Sequence, residues 1–119
     1  MITFEKVTVE NESVVKEMFK SHSLGEKKVQ YCVKVDDTYI GVIDYSVQEE
    51  RAVLSQLIIH FDYQGYGYGT NTYFTFEEMM KQRNVKEITV LQEKLTEKAK
   101  SFIESFGFAS EDEEYVKKI

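Results

Sequence analysis

Proline and tryptophan are absent from this chain of 119 residues, cysteine occurs once, and glycine only six times. Without proline, and without a Ser/Gly-rich linker or an internal repeat, chain punctuation falls to the glycines and to short charged clusters. The lone Cys32 excludes an internal disulfide and a cysteine-built zinc framework, so a reducing compartment is the natural setting and no metal is expected. No stretch approaches the run of about 18 apolar residues that a membrane helix needs. The first ten residues are broken by Glu5, Lys6 and Glu10 and lack the apolar core of a signal peptide. Positive charge is also scarce: 15 Lys and Arg against 21 Asp and Glu give a formal net charge of -6. That balance argues against broad binding to nucleic acid or an anionic membrane, which calls for a basic stripe. The expectation is one cytoplasmic domain, residues 1–119, with neither nucleic acid nor membrane as partner.

What is present is enough apolar material for one core: 42% hydrophobic residues, with eight Phe and eight Tyr. Ile2, Phe4, Val7 and Val9 suggest a first strand. Asn11 or Ser13 can cap a short helix through Val14, Val15, Met18 and Phe19 that ends near Leu24-Gly25. Val29 to Val35 alternates with polar residues at the period of a half-buried strand, and Asp36-Asp37 marks a turn. Tyr39 to Val47 reads as a third strand, Glu49-Glu50-Arg51 as a second turn, and Ala52 to His60 as a long apolar fourth strand. Tyr73, Phe76 and Met80 recur at helical spacing, Lys86 to Gln92 reads as a fifth strand, and Ala99, Phe102, Ile103 and Phe106 share one face of a further helix capped by Gly107. A turn through the acidic run Glu111 to Glu114 feeds a last short strand. An antiparallel meander that passes into a strand–helix–strand crossover makes strands four and five parallel neighbours in a mixed α/β sheet.

Half of the glycines fall in one segment, Gln64-Gly65-Tyr66-Gly67-Tyr68-Gly69-Thr70, between the fourth strand and the aromatic helix. Glycines there allow positive φ and close backbone approach, and the first N–H groups of a helix lack internal partners and carry partial positive charge. Together these favour a pyrophosphate. The segment is neither a P-loop, since no Gly-Lys-Ser/Thr follows, nor a dinucleotide fingerprint, since its spacing is Gly-x-Gly-x-Gly. A plain strand-to-helix connection with packed tyrosines is the alternative.

Leu57-Ile58-Ile59-His60-Phe61-Asp62-Tyr63, followed by Gln64-Gly65-Tyr66-Gly67-Tyr68-Gly69, resembles motif A of the GCN5-related N-acetyltransferase (GNAT) superfamily, which ends in Q/R-x-x-G-x-G/A. Ala99-x-x-Phe102-Ile103-x-x-x-Gly107-Phe108 is similar to that family's motif B. The resemblance implies a mixed, mostly antiparallel sheet whose strands four and five are parallel and splay apart. It implies acetyl-CoA as co-substrate, with the amides of Gln64, Gly65, Tyr66, Gly67, Tyr68, Gly69 and Thr70 holding the pyrophosphate. The backbone of Leu57, Ile58 and Ile59 would bind the pantetheine arm, and Thr96, Ala99 and Phe102 would flank the thiol end. Lys94, Lys98 and Lys100 could add local positive potential or form a solvated face.

The implied activity is N-acyl transfer, acetyl to a primary amine by direct attack, with a catalytically weak acyl-CoA-binding or regulatory domain as the alternative. The departures from the family pattern motivate that alternative. Val53 and Ser55 stand where a side-chain base would lie, and Thr96 and Ile103 replace the motif B Asn and the Tyr that protonates the thiolate. Tyr115, His60 and Asp44 are the candidate catalytic groups, and Tyr45 and Gln56 share the strands framing the acceptor. Packing is the ordinary role of a tyrosine, His60 can be structural, and Cys32 on a strand can be an inert thiol. The segment Leu24 to Lys28 is short for the family, which leaves the acceptor side open or completed by a second copy in a homodimer. The amine acceptor itself is not encoded in any recognisable motif.

Overall fold

A computed structural model describes residues 1–20, 29–93 and 95–119. The expected helix end near Leu24-Gly25, the segment 24–28 and Lys94 lie outside the described residues. In chain order the elements are β1 (Ile2–Lys6), α1 (Glu12–Phe19), β2 (Tyr31–Val35), β3 (Thr38–Gln48), β4 (Arg51–Ile59), α2 (Tyr68–Gln82), β5 (Glu87–Leu91), α3 (Glu97–Glu104), β6 (Ala109–Glu111) and β7 (Glu114–Lys118), with one 3-10 turn at Phe61–Tyr63. The sheet runs β1-β2-β3-β4-β5-β7-β6. This is the mixed α/β architecture expected, with β4 and β5 parallel.

The chain divides into two compact units. The first, Met1–Asp44 with Gln56–Phe76, packs α1 on its strands: Val15 and Phe19 meet Cys32 and Val42, with Val7, Met18, Val29, Tyr39 and Ile58 around them. Asn11 stands at the α1 N-cap position, but its side chain works on β1 instead. Its Oδ1 accepts from the Thr8 N–H at 2.7 Å and its Nδ2 donates to Glu5 Oε2 and the Lys6 carbonyl. The second unit, Tyr45–Ser55 with Glu77–Ile119, buries Ala52, Leu54, Met80, Ile88, Val90, Ile103, Phe106 and Tyr115.

Three hairpins turn through two residues each, and the first residue of each turn has positive φ: Asp36 (53°), Glu49 (57°) and Asp112 (54°). Aspartate visits that region more readily than other non-glycine residues, which suits two of the three. The C-terminal stretch is a hairpin of two strands where one was expected. Ala109–Glu111 is exposed throughout and carries no apolar alternation, so only its pairing with β7 makes it a strand.

Inside the second unit the parallel ladder is short. It runs from Arg51↔Glu87 through Ala52↔Ile88 to Val53↔Thr89, although β4 and β5 both continue beyond it. Past that point β5 keeps its antiparallel partner, with Val90 opposite Tyr115 and Leu91 opposite Glu114. The parallel pairing of strands four and five expected from the family resemblance is therefore present over these three pairs.

Candidate functional site: the glycine turn opening α2

β4 ends against β3. The His60 N–H donates to the Ile40 carbonyl at 2.8 Å, and a Cβ placed on Gly41 would come within 2.5 Å of the Ile58 carbonyl oxygen. Only glycine fits so close a crossing of backbones. After the 3-10 turn, the Gln64 side chain reaches back, its Nε2 donating to the Ile59 carbonyl at 2.9 Å. That bond ties the start of the glycine segment to the strand end. Gly65 and Gly67 have φ of 88° and 82°, and among the described residues a Cβ on either would meet nothing within 4 Å. Their glycine identity answers to backbone conformation, and no described residue fills the space beside them.

The helix starts earlier than the sequence suggested. Tyr68, Gly69 and Thr70 form the first turn of α2, so the turn proper is Gln64 to Gly67. Asn71 N–H donates to the Gly67 carbonyl at 3.0 Å. The N–H groups of Tyr68, Gly69 and Thr70 therefore precede the intrahelical ladder. No acidic residue occupies this turn to compete for them. A fifteen-residue helix opened by glycines and free of carboxylates in its first turn suits the charge and shape of a pyrophosphate.

A family model described as the acetyltransferase (GNAT) domain matches residues 2–119. The chain belongs to the GNAT acetyltransferase family. No curated protein matches it by sequence. Solved structures share its fold at low identity. An acetyltransferase from Thermus thermophilus superposes with a TM-score of 0.82 at 19% identity, covering 100% of this chain and 97% of that one. A PaiA N-acetyltransferase from Thermoplasma acidophilum, solved in complex with coenzyme A, gives a TM-score of 0.72 at 16% identity, with 100% and 99% covered. N-acetylglutamate synthase from Neisseria gonorrhoeae, complexed with coenzyme A and L-arginine, gives 0.74 at 13% identity, covering 99% of this chain and 33% of that one.

The other candidate residues of this GNAT chain are held in distinct ways. Asp44 on β3 is buried; its Oδ1 accepts from the Gln30 N–H at 2.6 Å and its Oδ2 from Gln56 Nε2 at 3.1 Å. Burial pushes its carboxyl above the usual range, opposed by the N–H donors of Gln30 and Tyr31 and by Gln56. Gln30, just before β2, was not singled out in the sequence, because nothing local marks it as a partner of a strand residue fourteen positions on. His60 caps the 3-10 turn, Nδ1 accepting from the Asp62 N–H at 3.1 Å, and its ring lies among Phe19, Phe61 and Tyr63. Those contacts build His60 into the strand end. Cys32 is buried on β2 and its thiol is pushed up to about 11, first by burial and then by the Glu5 charge, which leaves little thiolate for acyl chemistry at neutral pH.

In the second unit, Thr96 caps α3, its Oγ1 accepting from the Ala99 N–H at 3.1 Å, so the residue replacing the motif B Asn does helix-capping work. Phe102 packs edge-on against Phe106 at 4.6 Å between centroids, and Ile103 is buried. Lys98 is exposed and Lys100 pairs with Glu97 at 3.5 Å. The Tyr115 ring is buried on β7 and its hydroxyl donates to Glu104 Oε1 at 2.7 Å. That hydrogen bond, followed by burial and the Glu104 charge, holds the phenol above its ordinary range. Glu104 is the residue that sequence reasoning missed here: it follows the buried Ile103 on α3 and reads as ordinary helix surface. Neither Val53 nor Ser55 on β4 carries a group that titrates near neutrality. Among the described residues, no cluster of three or more His, Cys, Asp or Glu side chains is arranged to hold a metal ion.

Proposed function

We propose that the protein transfers an acyl group, acetyl from acetyl-CoA, to the nitrogen of a primary amine by direct attack on the thioester. The observation that carries the proposal is the glycine turn opening α2, with positive φ at Gly65 and Gly67 and no described residue where their side chains would stand. It lies within a chain matched over residues 2–119 by the GNAT family model. The coenzyme A bound in the Thermoplasma and Neisseria structures supports the same reading. In this proposal the amides from Gln64 to Thr70 hold the pyrophosphate and the backbone of Leu57, Ile58 and Ile59 holds the pantetheine arm. Thr96, Ala99 and Phe102 keep the role that the family resemblance gives them. Residues 1–119 act as one cytoplasmic domain, and a second copy completes the acceptor side; sedimentation as a monomer at working concentration would remove that second copy.

In the transfer, the amine nitrogen bonds to the thioester carbonyl carbon, the C–S bond breaks, and coenzyme A leaves as a thiolate that is then protonated. The amine loses its proton to solvent. Deprotonating a lysine-like amine at pH 7 costs roughly 4–5 kcal/mol. Holding thioester and amine in line supplies about 7–11 kcal/mol, which exceeds that cost. Positioning, with polarisation of the carbonyl by backbone N–H groups, therefore suffices without a dedicated side-chain base. The Tyr115 hydroxyl, already committed to Glu104, gives specific support to a second reading as an acyl-CoA-binding or regulatory domain with little turnover.

Calorimetric titration of acetyl-CoA into wild type and Gly67→Trp tests the site. Expected is binding at micromolar concentration by wild type and its loss in a variant whose circular dichroism is unchanged. A folded wild type that ignores acetyl-CoA overturns the proposal. Thiol release with a panel of primary amines then separates the two readings, since binding without release from any amine favours the regulatory domain.

A further inference from the structure

The glycine turn carries two aromatic rings that a pyrophosphate site does not require. Tyr66 stands between the two positive-φ glycines and is 73% exposed, the most exposed tyrosine or phenylalanine among the large hydrophobic residues at the described surface. Its ring centroid lies 6.3 Å from that of Tyr68, tilted by 47°, so Tyr68 supports one side of Tyr66. No residue from Gln64 to Thr70 is charged, so the segment offers a nucleotide only backbone amides, one side-chain amide, one threonine hydroxyl and two phenol rings. Backbone N–H groups account for phosphate recognition, leaving the rings without a part in it.

We infer that the Tyr66–Tyr68 pair is a nucleobase platform, on which the adenine of coenzyme A stacks while its pyrophosphate sits at the α2 N-terminus. This rests on the cofactor site proposed above and assigns it a subsite that the backbone amides do not provide. In coenzyme A a single ribose joins the pyrophosphate to adenine, and a flat π-system is the complement of a water-exposed phenol face. Stacking of a base on an aromatic side chain is worth about tenfold or more in affinity by alanine substitution, and it needs no charge. An acidic protein thereby gains affinity for the nucleotide end of a polyanion without a cluster of lysines.

The test compares acetyl-CoA with acetyl-4′-phosphopantetheine, which lacks the 3′-phosphorylated adenosine and one phosphate of the pyrophosphate, on wild type, Tyr66→Ala and Tyr66→Phe. Tyr66→Ala is expected to weaken acetyl-CoA about tenfold, to change acetyl-4′-phosphopantetheine less than about twofold, and to be rescued by Tyr66→Phe. With the 1,N6-etheno derivative of acetyl-CoA, wild type should quench the base fluorescence and Tyr66→Ala should not. Equal acetyl-CoA affinity in wild type and Tyr66→Ala, with no quenching by either, overturns the platform alone. Wild type that binds neither ligand overturns the cofactor site and the platform together.

Discussion

Asp44 illustrates how one side chain's chemistry is set by what is brought to it. A buried carboxylate is costly unless hydrogen-bonded, and here the Gln30 N–H and the Gln56 amide supply donors to its two oxygens. Burial is nevertheless the larger influence, and the pKa stands above the ordinary 3.8. A raised carboxyl pKa means that ionisation favours the unfolded chain. The stability Asp44 contributes is therefore complete below 3.8 and is lost as pH climbs through the higher folded value. Wild type is expected to lose stability relative to Asp44→Asn as pH rises above 3.8, as read from urea midpoints. A difference that stays constant over that range would show that burial does not govern this group. The sequence marked Asp44 as notable on a strand otherwise fit for burial, but its partners became visible only with β2 and β4 laid beside β3.

At the scale of elements, the strand-to-helix passage depends on β3 and β4 lying close enough for the glycine turn to be tied at Ile59. Gly41 makes that approach possible, since an added Cβ would meet both the Ile58 carbonyl oxygen and the Ile59 side chain. Gly41→Ala is expected to cost about 1–3 kcal/mol, seen as a lowered Tm, because backbone must shift to admit the methyl group. A Tm unchanged within error would mean that the strands separate freely here. The elements most legible in the sequence were those with strong period, such as the alternation from Val29 to Val35 and the aromatic stripe of α2. Their ends were less so. α2 begins at Tyr68 because glycine and threonine can enter a first helical turn as well as a loop, and α3 stops at Glu104, leaving Phe106 to be buried from beyond the helix.

At the scale of the whole molecule, the question is whether the fold retains turnover. General acid catalysis is typically worth about 10²–10⁴-fold. If transfer rests on positioning, Tyr115→Phe should keep kcat within about threefold for an amine that wild type acetylates, because the phenol O–H is already engaged in a hydrogen bond to Glu104. A loss of about hundredfold or more, with acetyl-CoA affinity intact, would instead make Tyr115 the acid that replaces the missing motif B tyrosine. The sequence by itself determined the acidic balance, the order of the main strands and helices, the glycine turn and the family to which the chain belongs. These are local properties: dihedral freedom at glycine, side-chain period, and spacing within a motif. Tertiary structure alone decided that the Tyr115 hydroxyl donates its hydrogen bond to Glu104, that Asp44 is held by Gln30 and Gln56, and that the β4–β5 ladder closes after three pairs. Such contacts join residues far apart in the chain, and they follow from strand order and register, which no local pattern specifies.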